Sequence, residues 1–176
     1  MGAIGVPLDL AAMLFFGDLQ RAALRADLPR VERLVSRHFS AIAHVHLGPG
    51  ADPSAFLLVD VRESREFAVS RLPGAVRLDP EAGDEEALGL IRAHRAGRPV
   101  LFYCSVGVRS SELAQRLQRQ LAKEGAPSAN LAGGIFAWAK QGRALESPEG
   151  PTRRVHGYDR TWARLAPQPV VLDPEP

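Results

Sequence analysis

Short apolar runs alternate with segments of helical spacing through the middle of the chain. Four of these runs have the length of strands, at residues 56–60, 75–78, 99–104 and 128–132. Between them, residues 83–95 and 110–125 predict helices. The first has acidic residues in its first turn, and the second has a leucine at every fourth position through its centre. Repeated alternation of strand and helix indicates a parallel sheet flanked by helices, which is an α/β fold.

Residues 1–48 show a different pattern, which predicts a helical extension ahead of the first long strand. We expect Asp27 to cap a helix whose first turn contains Pro29, and Asp18 to cap an earlier helix over residues 19–26. Residues 43–47 alternate between apolar residues and histidine, which predicts a short strand at an edge of the sheet.

The last part of the chain, residues 148–176, contains six prolines and few long apolar runs. This composition predicts an extended tail that crosses the surface, partly anchored by Tyr158, Trp162 and Leu165. The chain is therefore expected to consist of three parts. They are a helical extension (residues 1–48), an α/β domain (residues 49–147) and a C-terminal tail (residues 148–176).

Composition and charge narrow the classes of function. Hydrophobic residues make up 45% of the chain and charged residues 24%, as in globular proteins. A net charge of +2 does not favour nucleic acid as a partner. No apolar run approaches the roughly 20 residues that span a bilayer, so no membrane association is expected.

Cys104 is the only cysteine of the chain, and it stands where a predicted strand ends. A single cysteine cannot form an internal disulfide, which favours a reducing compartment. The apolar start of the chain lacks the basic residues of a secretion signal, so a cytoplasmic location is expected. A cysteine after an apolar strand can be an inert core residue, so the residues that follow it decide between a structural and a chemical role.

The segment that follows Cys104 favours a reactive thiol. Consecutive backbone N–H groups in a turn, together with the first N–H groups of a helix, form a cradle for an anion and would stabilise a thiolate. Gly107 allows the turn, Arg109 can brace the loop or neutralise an anionic substrate, and Ser110 can donate a hydrogen bond. Carboxyl ends of parallel strands are also where α/β sheets carry their sites.

Three segments together resemble a single rhodanese-like domain: "LLVDVRESREFAVSRLPGAVRL" (57–78), "VLFYCSVGVRSSELAQRL" (100–117) and "NLAGGIFAWAKQG" (130–142). The resemblance implies a three-layer fold with a mostly parallel, five-stranded sheet flanked by helices. It also implies that Cys104 accepts a sulfane sulfur, becomes a persulfide and passes the sulfur on, with no metal or organic cofactor. The persulfide itself would be the covalent intermediate.

The resemblance also supplies candidate residues and partners. The loop that would hold the donor and the persulfide comprises Ser105, Val106, Gly107, Val108, Arg109 and Ser110. Asp60 and Arg62 would support it by bracing nearby loops. The donor would be thiosulfate or a persulfide, and the acceptor a thiol, cyanide or a protein. The oligomeric state stays open.

Two alternatives to sulfur transfer remain. Phosphatases and arsenate reductases related to this family carry five residues between the cysteine and the arginine, whereas this chain has four, which makes a narrower cradle that suits a single sulfur atom. A non-catalytic binding module is the second alternative.

Val106 and Val108 make the rim of the cysteine loop apolar, so we expect weak attraction for thiosulfate and a preference for a persulfide donor.

Other polar residues are expected to have structural roles. Glu63 and Glu66 are expected to begin a solvated helix, and the turn at Gly133 and Gly134 to lie close to the cysteine loop. Two histidines, at positions 44 and 46, share a face of the predicted edge strand, but no further ligand completes a metal site.

Overall fold

The computed structural model describes residues 10–173, so the first nine residues of the predicted extension and the last three of the predicted tail lie outside this range. The helices are α1 (Leu10–Leu24), α2 (Leu28–His38), α3 (Ser64–Val69), α4 (Asp84–His94), α5 (Val108–Lys123) and α6 (Gly134–Lys140). The strands are β1 (Ala43–Val45), β2 (Leu57–Asp60), β3 (Val76–Arg77), β4 (Val100–Tyr103), β5 (Ser128–Leu131), β6 (Leu145–Ser147), β7 (Gly150–Thr152), β8 (Val155–His156) and β9 (Val170–Val171). Short 3₁₀ helices cover Pro53–Ala55 and Trp162–Leu165.

Strands β1 to β5 form one sheet in the order β1-β5-β4-β2-β3, and every neighbouring pair is parallel. All residues of β2 and β4 are buried, as expected for central strands covered on both faces. The predicted α/β fold, a five-stranded sheet flanked by helices, is therefore confirmed. The sheet is parallel throughout rather than mostly parallel.

The extension contributes both an edge strand and part of the core. Strand β1 pairs with β5 at one edge of the sheet, which confirms the strand expected over residues 43–47. The Asp27 carboxylate accepts a hydrogen bond from the N–H of Arg30 at 2.9 Å, which confirms the cap of α2.

None of the helices in residues 10–173 has both the length and the apolarity needed to cross a bilayer.

The helix boundary predicted at Asp18 is wrong. Helix α1 begins eight residues earlier, at Leu10, and Asp18 lies inside it, paired with Arg21 at 2.8 Å. The apolar spacing explains this, because Phe15 and Leu19 are four residues apart and both are buried, so the stripe continues upstream of Asp18.

The C-terminal part forms short strands, and both residues of β8 are buried. Strands β6 and β7 form an antiparallel hairpin, and β8 pairs with β9 in parallel. Leu165 is completely buried, and the Arg164 guanidinium donates to the carbonyl oxygen of Leu24, at the end of α1, at 3.2 Å. The tail and the extension therefore contact each other, while their division from the central domain at residues 48 and 147 remains a prediction.

Candidate active site

Cys104 directly follows the central strand β4, at its carboxyl end. Three residues, 105–107, separate Cys104 from α5. This helix begins at Val108, whereas the sequence predicted a start at Ser110. Arg109 therefore belongs to the first turn of the helix rather than to the loop before it. The loop that connects strand and helix is short, so the thiol and the helix N-terminus lie next to each other.

The Cys104 sulfur accepts a hydrogen bond from a backbone amide of its own loop. The N–H of Gly107 lies 3.1 Å from Sγ. Gly107 has φ +103°, a conformation that other residues rarely adopt. A Cβ at this position would also lie 3.0 Å from the side-chain nitrogen of Asn130, so both the backbone conformation and the space favour glycine. The thiol is only 2% exposed, yet it lines a cavity that opens to the surface.

The start of α6 fixes the cysteine loop from the other side. The N–H groups of Ile135 and Phe136 donate to the carbonyl oxygens of Cys104 and Ser105, at 2.9 and 3.1 Å. Gly134 has φ +55°, and a Cβ on it would collide with the Cys104 carbonyl oxygen and lie 2.7 Å from that of Ser105. The expected proximity of the double-glycine turn to the loop is confirmed.

Arg109 is bound by a buried carboxylate. Its two terminal nitrogens donate to the two Glu66 oxygens at 2.8 and 2.9 Å, and one of them also contacts the Ser105 hydroxyl at 3.1 Å. The Ser105 hydroxyl donates to Glu66 at 2.9 Å, as does the N–H of Glu63 at 3.0 Å. The expectation that Glu66 is solvated is wrong, because these donors satisfy its carboxylate inside the protein.

The ionisation of this pair follows from its surroundings. Burial alone would raise the pKa of Glu66, but the hydrogen bonds and charge of Arg109, with the charge of Arg62, hold it below its usual value. Burial would likewise lower the pKa of Arg109, and its bonds to Glu66 and its proximity to Cys104 raise it instead. Both groups are therefore charged at neutral pH, and they neutralise each other.

Asp60 and Arg62 form a second ion pair at the end of β2. The Arg62 guanidinium donates to Asp60 at 2.6 and 2.9 Å and to the carbonyl oxygen of Ser70 at 2.6 Å. Both side chains are fully buried. Their geometry supports the bracing role expected from the sequence, because Arg62 ties the end of β2 to the chain after α3.

The remaining loop residues occupy two kinds of position. Val106 and Val108 line the cavity beside Cys104, which agrees with the expectation that they make the rim of the cysteine loop apolar. The hydroxyl of Ser110 is buried and donates to Asn130 Oδ1 at 2.6 Å. A hydrogen bond from the Ser110 hydroxyl to the sulfur donor therefore remains a prediction. It would require this hydroxyl to give up its hydrogen bond to Asn130.

The cavity in front of Cys104 also has walls that the sequence did not indicate as part of a site. Phe16 and Leu19 of α1 line it, as do Tyr158 and Trp162 of the tail. Tyr158 and Trp162 were expected only as anchors of the tail and Leu19 only as the first residue of a helix, while Phe16 was given no role. Periodicity indicates that such residues contact something, and it does not indicate which surface they contact.

A metal centre finds no support in residues 10–173, which hold no group of three or more His, Cys, Asp or Glu side chains placed to bind an ion. His44 is engaged elsewhere. Its Nε2 lies 3.1 Å from the carbonyl oxygen of Phe39, and its Nδ1 lies 3.2 Å from the side-chain nitrogen of Asn130.

Known proteins resemble a part of this chain. A "Sulfurtransferase" of Allochromatium vinosum is 35% identical over 102 residues, which cover 57% of this chain and 87% of that protein. The "Adenylyltransferase and sulfurtransferase UBA4" of Yarrowia lipolytica is 33% identical over 85 residues, 48% of this chain but only 20% of that protein. The crystal structure of a rhodanese-like domain protein from Staphylococcus aureus aligns with a TM-score of 0.44 at 21% identity, over 60% of this chain and 98% of that one.

The family comparison covers the sheet strands from β2 to β5 and the cysteine loop. The family model described as "Rhodanese-like domain" matches residues 47–141, more than half of the chain. Helices α1 and α2, strand β1 and the tail lie outside the matched range. Together with the parallel sheet and the loop after β4, this match shows that the chain belongs to the rhodanese-like domain family.

Proposed function

We propose that the protein is a rhodanese-type sulfurtransferase that carries sulfur as a persulfide on Cys104. The observation behind this proposal is the position of the thiol. It lies at the carboxyl end of the central strand, accepts the Gly107 N–H at 3.1 Å and lines an open cavity. A thiolate, and then the terminal sulfur of a persulfide, is an anion that backbone N–H groups from Ser105 to Arg109 suit.

The reaction has two balanced steps. The Cys104 thiolate attacks the sulfane sulfur of the donor and forms a new S–S bond, while the bond between that sulfur and the rest of the donor breaks. The electron pair leaves with the donor remnant, which is sulfite from thiosulfate or a thiolate from a persulfide. An acceptor nucleophile, such as a thiol, cyanide or a protein cysteine, then takes the outer sulfur, and the Cys104 thiolate is released.

Two features support sulfur transfer over the phosphatase or arsenate reductase alternative. Four residues separate Cys104 from Arg109, so the loop is short for a tetrahedral oxyanion. The Arg109 guanidinium also donates to both oxygens of Glu66, so it would have to leave this carboxylate to bind a phosphate. A single cysteine cannot form an internal disulfide, which favours a reducing compartment, and we propose the cytoplasm.

Intact-mass spectrometry tests the proposal directly. The purified protein is incubated with thiosulfate and, separately, with glutathione persulfide, and its mass is measured before and after addition of cyanide. We expect a gain of about 32 Da, one sulfur atom, which cyanide removes as thiocyanate. Cys104→Ser is the matched control, because it keeps a small polar side chain and removes the nucleophile.

The outcomes separate the alternatives. A cyanide-sensitive gain of one sulfur in the natural chain and none in Cys104→Ser is the expected result. Hydrolysis of an aryl phosphate or reduction of arsenate, without any sulfur adduct from either donor, would contradict the proposal and favour the related enzyme classes. An absence of every one of these activities would leave the binding module as the better account.

A further inference from the structure

The cavity in front of Cys104 has a floor and walls of different origin. Its floor is the cysteine loop, which lies within the family match at residues 47–141. Its walls come from outside that match, with Phe16 and Leu19 from α1 and Tyr158 and Trp162 from the tail. Segments outside the family match therefore line the cavity in front of the cysteine loop, which lies within the match.

Contacts at several points hold the tail in this position. The Tyr158 N–H donates to His156 Nδ1 at 3.0 Å, and His156 Nε2 lies 3.2 Å from the Asp173 carboxylate. Arg65 of α3 also pairs with Asp173, and Arg164 bonds to the end of α1. The walls are thus held in place by contacts within the chain itself.

Charge in the cavity is balanced before a donor arrives. Arg109 is the cationic side chain among the described residues that line it, and both Glu66 oxygens accept from its guanidinium. The Tyr158 ring lies 5.1 Å from the guanidinium carbon of Arg109 and covers it from the tail side. A doubly charged donor such as thiosulfate would enter a site whose cation is already paired, between apolar walls.

The dimensions of the cavity suit an apolar group. Its volume is about 190 Å³, and an apolar cavity of about 150 Å³ is large enough to bind benzene. Aromatic walls favour a flat ring, which can stack or contact them edge to face. The geometry points to a donor whose leaving group carries an aromatic or similarly bulky apolar substituent.

We propose that this cavity selects organic sulfur donors with an aromatic substituent over thiosulfate, an inference that rests on the sulfurtransferase activity proposed above. An arylthiosulfonate shows the chemistry. The Cys104 thiolate attacks the terminal sulfur of Ar–SO₂–S⁻, the S–S bond breaks, and the electron pair leaves on the arylsulfinate, Ar–SO₂⁻. The products are the Cys104 persulfide anion and the sulfinate, so charge and sulfur both balance.

Three donors isolate the contribution of the ring. Benzenethiosulfonate and methanethiosulfonate are both monoanions that release a sulfinate, and they differ in the apolar group, while thiosulfate is a dianion without one. With cyanide as acceptor, we expect kcat/KM for benzenethiosulfonate to exceed that for methanethiosulfonate by at least about tenfold. Thiosulfate is expected to be the poorest of the three donors.

Two pairs of variants test whether the walls cause this preference. Phe16→Ala removes a wall, and Leu14→Ala is its control, because both residues are about half exposed on α1 and Leu14 does not line the cavity. Tyr158→Ala and Leu172→Ala form the second pair, both 37% exposed in the tail. Each wall variant should lower the ratio of the benzene to the methane donor by about threefold or more, and each control should leave it unchanged.

The outcomes distinguish the two proposals. Equal kcat/KM for the three donors, with sulfur still deposited on Cys104, would overturn the selectivity and leave sulfurtransfer intact. A preference for benzenethiosulfonate that persists unchanged in the wall variants would also overturn it, because the intrinsic reactivity of the donor would then explain the ratio. Failure of all three donors, and of glutathione persulfide, to load Cys104 would overturn both proposals. Circular dichroism of each variant confirms that the fold is retained.

Discussion

The carboxyl ends of β2 and β4 each bring an arginine against a carboxylate, and the two pairs differ in what surrounds them. Arg62 and Asp60, after β2, are completely buried. Arg109, after β4, keeps 26% of its side chain exposed while its partner Glu66 is fully buried. The first pair closes the space at its strand end, whereas the second stands at the edge of a cavity. The same type of interaction can thus serve as a brace at one strand end and leave room for a ligand at the other.

The comparison also shows what a buried ion pair contributes to a site. Desolvation of two charges offsets much of their attraction, so neither pair is strong evidence of stability in itself. Removal of one partner, however, leaves the other charge buried and unpaired, which is costly. The two pairs should therefore respond differently to mutation, according to how much solvent can reach the orphaned charge.

Asp60→Asn should have the largest effect on stability. The substitution keeps the shape of the side chain and leaves the fully buried Arg62 without its hydrogen-bonded counter-ion, so we expect a loss of about 3–5 kcal/mol in the free energy of unfolding. Urea denaturation followed by circular dichroism measures it. Glu124→Gln, which breaks the solvent-facing pair with Arg92, is the control and should cause a far smaller loss. Similar losses in both variants would contradict the bracing role.

Gly134→Ala tests the close packing of α6 against the cysteine loop, which follows β4. The new Cβ would meet the carbonyl oxygens of Cys104 and Ser105, and Gly134 has a positive φ, so we expect a loss of about 2–4 kcal/mol and slower persulfide formation. Gly142→Ala separates the two causes, because Gly142 also has a positive φ but no atom within 4 Å of the added carbon. An equal loss at both positions would show that backbone strain alone is responsible.

Glu66→Gln should cost less stability than Asp60→Asn and should raise the activity with thiosulfate. Arg109 would retain a hydrogen-bond partner but lose its counter-charge, and solvent can reach it, so we expect a loss of about 1–3 kcal/mol. The uncompensated cation should raise kcat/KM for thiosulfate several-fold, and added salt should weaken this gain. A fall in kcat/KM for thiosulfate would show that Arg109 needs Glu66 to reach its working position.

The smallest expected effect is a dependence of the free energy of unfolding on pH, caused by the titration of Glu66. Its pKa is lowered in the folded protein from the usual value of 4.5, so its contribution to stability is complete above that value and is lost as the pH falls through the lowered one. Unfolding free energies measured between about pH 6 and pH 3 should therefore fall less steeply in Glu66→Gln than in the natural chain. Parallel pH profiles for the two proteins would be the contrary result.

The sequence predicted the sheet and the position of Cys104 at the end of a strand well because both depend on local patterns. Strands β2 to β5 are short apolar runs, and Cys104 stands between one of them and a helix with Gly107 at its start. Such features need only the identity of near neighbours in the chain. The bracing role expected of Asp60 and Arg62 came instead from the resemblance of residues 57–78 to a rhodanese-like domain, and it stays a prediction.

The features that the sequence did not indicate depend on residues far apart in the chain. Glu66 is buried because Arg109, 43 positions later, supplies its hydrogen bonds. Phe16 and Trp162 line one cavity although almost the whole domain separates them in sequence. An amphipathic pattern shows that one side of a segment is covered, but the covering partner is set by tertiary packing.

The convergence of α1 and the tail over Cys104 has a consequence for how such a protein can diversify. Residues that would form the persulfide lie within the range that the family model matches, whereas residues that would choose the leaving group lie on segments outside it. Substitutions in those segments can retune substrate preference while the sulfur chemistry stays constant. Relatives that share the loop but carry other flanking helices would then be expected to draw on different sulfur pools.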